Sequence, residues 1–275
     1  MWLSVDCISW PCPRTGDPRV PGVAQPLSGR KHSRSAARPR RSRNAPARHL
    51  AILYEDEAIV VVDKPAGLLT VPLPRREHAP SVASLIEERH RSHRARRPFA
   101  VHRIDRDTSG IVVFARNPRA QEALKRQFIA HEPERVYLAI VHGSPRPTTG
   151  TWRDRLAWDQ QALIQKSAAA SHPRAMEAVS EYRVVESFHY ASLVEVRLRT
   201  GKRNQIRIQA ASRGHTLVGE RQYVDRAPTH RIACPRQALH AHRLAFRHPV
   251  DGRALSFESP LPRDLEELLA SLRRS

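Results

Sequence analysis

Three cysteines, Cys7, Cys12 and Cys234, are too few and too unevenly spread for a disulfide framework, so a reducing compartment is the simpler setting. No apolar run approaches the roughly 18 residues that a membrane helix needs. Residues 1–11 do not make a signal peptide, because they lack a basic start and Asp6 interrupts their short apolar stretch. A cytoplasmic protein without membrane partners is expected. Around Cys234, His240 and His242 no second Cys or His pair stands at zinc-site spacing, so no metal is expected there. Gly201-Lys202 lacks the preceding glycine of a phosphate loop, and no serine-hydrolase elbow surrounds Ser109. Acids are also scarce: 27 Asp and Glu against 47 Lys and Arg leave a formal charge of +20, with an isoelectric point near 11.3. Such a balance makes a polyanion, usually nucleic acid, the first partner to consider. Arg greatly outnumbers Lys, which suits phosphate forks and stacking on bases, although a GC-rich genome produces the same bias.

What is present divides the chain in two. Residues 1–49 hold seven of the 22 prolines and ten Lys or Arg against two acids, a composition expected to stay disordered as a basic tail. From Leu50 to Ser275 the pattern is that of one folded, soluble domain. Ala58-Ile59-Val60-Val61-Val62 reads as a buried strand, followed by a type I turn at Lys64-Pro65-Ala66-Gly67. Ser81 and Asn117-Pro118 read as helix starts. Residues 135–141 and 194–199 read as strands, the latter with strict apolar and charged alternation, and Leu265, Leu268, Leu269 and Leu272 form one helical stripe. With no internal repeat and no regular strand-helix alternation, an α+β fold with a mixed, largely antiparallel sheet is expected.

The stretch from Val101 to Gly110, followed by the apolar strand from Ile111, places Asp105 at a turn before a strand. Between Arg89 and Arg106 the chain carries seven Arg and one acid, so Asp105 is expected to stay ionised in a cationic cleft. Asp in such a loop commonly caps turn amides beside Thr108 and Ser109. The spacing leaves that reading and a catalytic carboxylate both open.

Three segments, Asp63-Lys64-Pro65-Ala66-Gly67, His102-Arg103-Ile104-Asp105 with Thr108-Ser109-Gly110, and Gly201-Lys202-Arg203-Asn204-Gln205-Ile206-Arg207, resemble in that order the motifs of the RluA family of RNA pseudouridine synthases. Leu239-His240-Ala241 and Phe246-Arg247-His248-Pro249 resemble its closing strands, so the likeness spans residues 51–262. The resemblance implies a catalytic domain with a bent sheet and a central cleft, and an isomerase that needs no cofactor. It implies Asp105 as the carboxylate that attacks or stabilises the reacting centre, Tyr137 as the residue stacking on the flipped base, and Arg207 as the basic partner of Asp105. It further implies Arg103 as the side chain filling the vacated stack. His102, Ile206, Lys202, Arg203 and Asn204 are the remaining expected RNA contacts. Asn204 stands where the family usually has His, Ile104 where Leu is commoner, and Glu220 where Asp is usual. The expected substrate is large-subunit ribosomal RNA, with transfer RNA the other candidate, acted on by a monomer without an obligatory protein partner. Two alternatives remain: a non-catalytic RNA-binding or ribosome-assembly protein on the same scaffold, and, more distantly, a glycoside hydrolase pairing Asp105 with Asp107, Glu132 or Glu134, which would leave the charge unexplained.

Overall fold

The computed structural model describes residues 50–73, 79–90, 97–169, 171–224 and 230–275. The expected basic tail, residues 1–49, lies outside the described residues, as does the middle of the Arg-rich run, residues 91–96.

In chain order the elements are β1 (Ala51–Glu55), β2 (Ile59–Lys64), α1 (Val82–Arg89), β3 (Phe99–Ala100), β4 (Ser109–Ala115), α2 (Pro118–Ile129), β5 (Glu134–His142) and β6 (Thr149–Asp159). There follow β7 (Ile164–Ser167), β8 (Met176–Ser187), β9 (Ala191–Leu198), α3 (Gln205–Ala211), β10 (Leu239–Arg247), β11 (Ala254–Glu258) and α4 (Arg263–Leu272). The strands form one sheet in the order β1-β2-β4-β10-β5-β9-β8-β6-β7, with β11 paired to β10 and β3 to β4. Every named ladder is antiparallel except β10 against β4, where His240 faces Ser109 and Ala241 faces Gly110. Gly110, at φ 111°, permits this parallel approach, because a Cβ there would collide with the Ala241 backbone.

Burial explains the two kinds of strand. Four consecutive apolar residues of β2 and all seven residues of β4 are buried, because helices cover both sheet faces there. On one face Ile59, Val61, Ile111 and Val113 pack with Ala120 and Leu124 of α2. On the other, Val60, Val62, Val112 and Phe114 pack with Val82 and Ile86 of α1. The second half repeats the plan: α3 supplies Ile206 and Ala210 against Ala139, Val141, Val194 and Val196, while α4 supplies its four leucines against Ile140, Ala191 and Leu193. The helix starts are made as the sequence predicts. Ser81 Oγ accepts the Ser84 N–H at 3.1 Å, and Asn117 Oδ1 accepts the Ala120 N–H at 2.8 Å, ahead of Pro118 in the first turn. The early turn differs: its turn residues are Ala66 and Gly67, with Gly67 at φ 84°, the left-handed value that a type II turn requires at its third position.

Tyr137 on β5 packs against both the α1 cluster and the α3 cluster. It therefore marks the centre of the sheet face on which those two helices lie.

Candidate active site

Asp105 opens the turn that leads into β4, and its carbonyl accepts the Thr108 N–H at 3.2 Å. Nearly every neighbour in this turn is tied down. Thr70 Oγ1 donates to the Ile104 carbonyl at 2.8 Å. The Arg106 carbonyl accepts from Lys64 Nζ at 2.9 Å and from the Gly67 N–H at 2.8 Å. From the other side, Arg236 Nη1 donates to the Asp107 carbonyl at 3.1 Å and Gln237 Nε2 to Thr108 Oγ1 at 2.9 Å. A turn fixed from two strands' ends presents its carboxylate with little freedom left to lose, which is the preorganisation a reacting group needs.

Lys64 is fully buried and spends its ammonium on three carbonyls, those of Pro65, Leu68 and Arg106. Burial pushes its pKa down to about 7, against the pull of Asp107 and Asp105. Arg236, itself buried, is held by Asp264 through Nε at 2.6 Å and Nη2 at 3.0 Å. Neither Arg236 nor Gln237 carries a readable signal in the sequence, because the turn they pin lies 129 residues away in the chain.

The basic partner comes from α3. Arg207 Nη1 donates to Asp105 Oδ2 at 3.1 Å and to Asn204 Oδ1 at 2.9 Å. Its Nε and Nη2 grip the carboxylate of Glu220, both at 2.7 Å, and its guanidinium lies 5.0 Å from the centre of the Tyr223 ring. Glu220 has a fully buried side chain, and its Oε1 also accepts the backbone N–H groups of Arg221, Gln222 and Tyr223. Burial disfavours both charges. The fork between them overrides it, raising the basicity of Arg207 and lowering the pKa of Glu220. Asn204 adopts a left-handed conformation, φ 55°, at the start of α3, and its Nδ2 donates to Tyr223 Oη at 2.8 Å. The amide at this position thus braces Arg207 against Tyr223, a residue the sequence reading did not single out.

The other expected site residues fall into three groups. Tyr137 lies on the sheet face shared by α1 and α3, while Arg103 lies in the loop between β3 and β4 and Lys202 and Arg203 in the loop between β9 and α3. Burial pushes the Tyr137 hydroxyl up to about 12, with Arg135 pulling it down and Asp105 pushing it up. Arg103 is exposed, and local desolvation followed by repulsion from Arg203 lowers its basicity. Arg203 is exposed over the Trp158 ring, 4.9 Å from its centre. Ile206 is buried in the cluster behind Tyr137 and serves as wall, not as an open contact. His102 departs from its expected role as an RNA contact. Its Nε2 accepts the Val113 N–H at 3.1 Å and its ring stacks on Phe128 at 4.6 Å, so the side chain is turned into the fold.

The family described as RNA pseudouridylate synthase matches residues 58–212. The chain is 36% identical over 234 residues to ribosomal large subunit pseudouridine synthase D of Zymomonas mobilis, covering 81% of this chain and 73% of that one. It is 35% identical over 212 residues to the dual-specificity RNA pseudouridine synthase RluA of Escherichia coli, covering 77% and 93%. Among solved structures, human RNA Pseudouridylate Synthase Domain Containing 4 shares the fold with a TM-score of 0.66 at 22% identity, over 81% of this chain and 93% of that one.

Proposed function

The chain belongs to the RNA pseudouridylate synthase family, isomerases that convert uridine to pseudouridine in RNA, and we propose that its substrate is a uridine in structured large-subunit ribosomal RNA, with residues 50–275 as the catalytic domain. The relatives named for the ribosomal large subunit support that substrate. The reaction breaks the N-glycosidic bond, turns the uracil and rejoins it to the sugar through carbon. It requires a carboxylate at the reacting centre, and Asp105 takes that role.

The observation that carries this assignment is the ion pair from Arg207 to Asp105 in a turn otherwise pinned through its neighbours. Arg207 keeps Asp105 oriented, while Glu220 keeps Arg207 from swinging away. Tyr137, protonated at neutral pH because its pKa is held near 12, faces the flipped base as a hydrogen-bond donor. Extrusion of the uridine leaves a gap in the RNA stack, which the exposed Arg103 fills with its planar guanidinium. Binding energy comes mainly from phosphate contacts by Arg and Lys, so affinity falls with salt.

The test is to incubate the protein with total RNA from a strain lacking it and to map pseudouridine chemically. Wild type is expected to add a site in large-subunit RNA, and Asp105→Asn to add none while binding the same RNA within about threefold, because phosphates dominate affinity. A variant that modifies the same site at an undiminished rate refutes the assignment of Asp105.

A further inference from the structure

Arg135, on β5, is 8% exposed, and its Nε and Nη2 are buried without any hydrogen bond. No ion pair forms to it among the described residues. Its sequence neighbour Glu134 is taken by Arg197 at 3.0 Å and Arg243 at 3.8 Å. A buried guanidinium with unfilled donors is costly, and native folds rarely retain one without a partner.

Among the described residues no internal partner reaches these two nitrogens. The charges that Arg135 feels or imposes are those of Tyr137, His102 and His131, and Lys202 acts on the same His131. The Phe128 ring lies 5.9 Å from its guanidinium carbon. Over it runs Gly201, exposed and without a side chain, and a Cβ at that position would collide with Arg135 Nη1. The glycine thus keeps the guanidinium just beneath the surface, under a backbone segment that continues into Lys202. Among the described residues, the groups whose charges act with Arg135 are a phenol and two imidazoles, and the adjacent carboxylate of Glu134 is engaged by Arg197 and Arg243. Arg135 also points to the same sheet face as Tyr137, two residues and about 7 Å along the strand.

We infer that Arg135, with Gly201, Lys202 and His131 around it, is an anion site that receives a phosphodiester of the substrate RNA beside the flipped uridine. The inference rests on the RNA-modifying reading above. A phosphate supplies the oxygens that the buried fork lacks, and Lys202 adds a second positive charge nearby. A flipped base resting against Tyr137 carries its own and its neighbours' phosphates back to the cleft rim, on the scale of that strand spacing.

Two measurements on the full chain test this. In the first, thermal unfolding is followed in chloride and in inorganic phosphate at matched ionic strength. Wild type is expected to gain about 3 °C from phosphate, as a ligand bound to the folded state alone should give. Arg135→Met is expected to unfold in chloride no earlier than wild type, because it removes an uncompensated charge, and to gain clearly less from phosphate. An equal gain in both proteins means an anion held elsewhere on the basic surface and overturns the site, as does a marked loss of stability or of folding in Arg135→Met. Arg135→Lys, which keeps the charge without the fork, guards the result: a gain of half the wild-type value or less supports the site, and an undiminished one overturns it. In the second, kinetics on a large-subunit ribosomal RNA transcript are expected to show at least a tenfold loss in kcat/KM for Arg135→Met, carried mainly by KM. A phosphate effect with unchanged KM assigns the site to free phosphate and overturns the RNA part of the inference. If wild type itself makes no pseudouridine, the functional reading fails, while the unfolding comparison still decides whether the anion site exists.

Discussion

Two buried guanidinium groups, those of Arg207 and Arg135, are treated in opposite ways. Arg207 is gripped by Glu220, tied to Asp105 and Asn204, and stacked on Tyr223, so each end of its fork is satisfied within the protein. Arg135 has the same chemistry and similar burial, yet two of its nitrogens face no acceptor. The first arrangement fixes the Asp105 carboxylate within the protein itself. The second leaves a charge waiting for an acceptor. On the anion-site proposal, stability and reception are separated: the Arg207 cluster is complete in the free protein, and the Arg135 fork is completed by the ligand.

The difference is broken most strongly at Glu220. Glu220→Gln removes the forked carboxylate and leaves the buried Arg207 with only the single-nitrogen pair to Asp105, which costs about 3 kcal/mol. Thermal unfolding should fall by roughly 10 °C, with a loss of turnover as Arg207 loosens from Asp105. This is the opposite of the unchanged or raised stability expected for Arg135→Met, and equal losses in the two variants would dissolve the distinction. A smaller effect is expected at Asn204. Asn204→Ala removes one acceptor from Arg207 and one donor to Tyr223 but leaves the Glu220 fork intact, so unfolding should shift by about 1 kcal/mol. The rate should fall about three- to tenfold, less than at Glu220 because the ion pair that orients Arg207 remains. A fall as large as that of Glu220→Gln would show that the amide, not the carboxylate, sets the position of Arg207.

The sequence made one of these guanidinium groups visible and hid the other, for physical reasons. Strand β2 and helix α2 announce themselves by an apolar β-branched run and by a cap followed by Pro118. Helix α3 does not, because all seven of its residues are buried, Gln205, Arg207 and Gln209 included, and a helix without an exposed face shows no amphipathic period. Asp105, Arg207 and Tyr137 were reached through motif resemblance, and the geometry brings the first two into contact. His102 was misjudged because it sits beside exposed Arg103 in a motif, whereas the register of β4 places the Val113 N–H at its Nε2. Arg135 read only as the start of a strand. What makes it unusual is the lack of partners for its buried nitrogens, a property that exists only once Gly201 has been folded over it.

The smallest expected effect reads the charge of Arg135 through His102. Burial first, and repulsion from Arg135 second, lower the His102 pKa to about 3, from 6.5 in an unfolded chain. Below pH 6.5 the unfolded chain therefore takes up a proton that the folded protein refuses, so this group's share of stability is present above pH 6.5 and is lost as pH falls toward 3. His102→Gln keeps an acceptor for the Val113 N–H but does not titrate. At pH 7 the variant should be the less stable, having lost the stacking on Phe128. At pH 4 the gap in urea midpoint should narrow, because only wild type has lost this contribution. Arg135→Met should flatten the same acid limb in part, since removing the neighbouring cation lets His102 accept its proton at a higher pH in the folded state. A gap for His102→Gln that stays constant from pH 7 to 4 would mean that the imidazole is protonated in the folded protein as readily as in the unfolded chain, and that Arg135 does not bear on it.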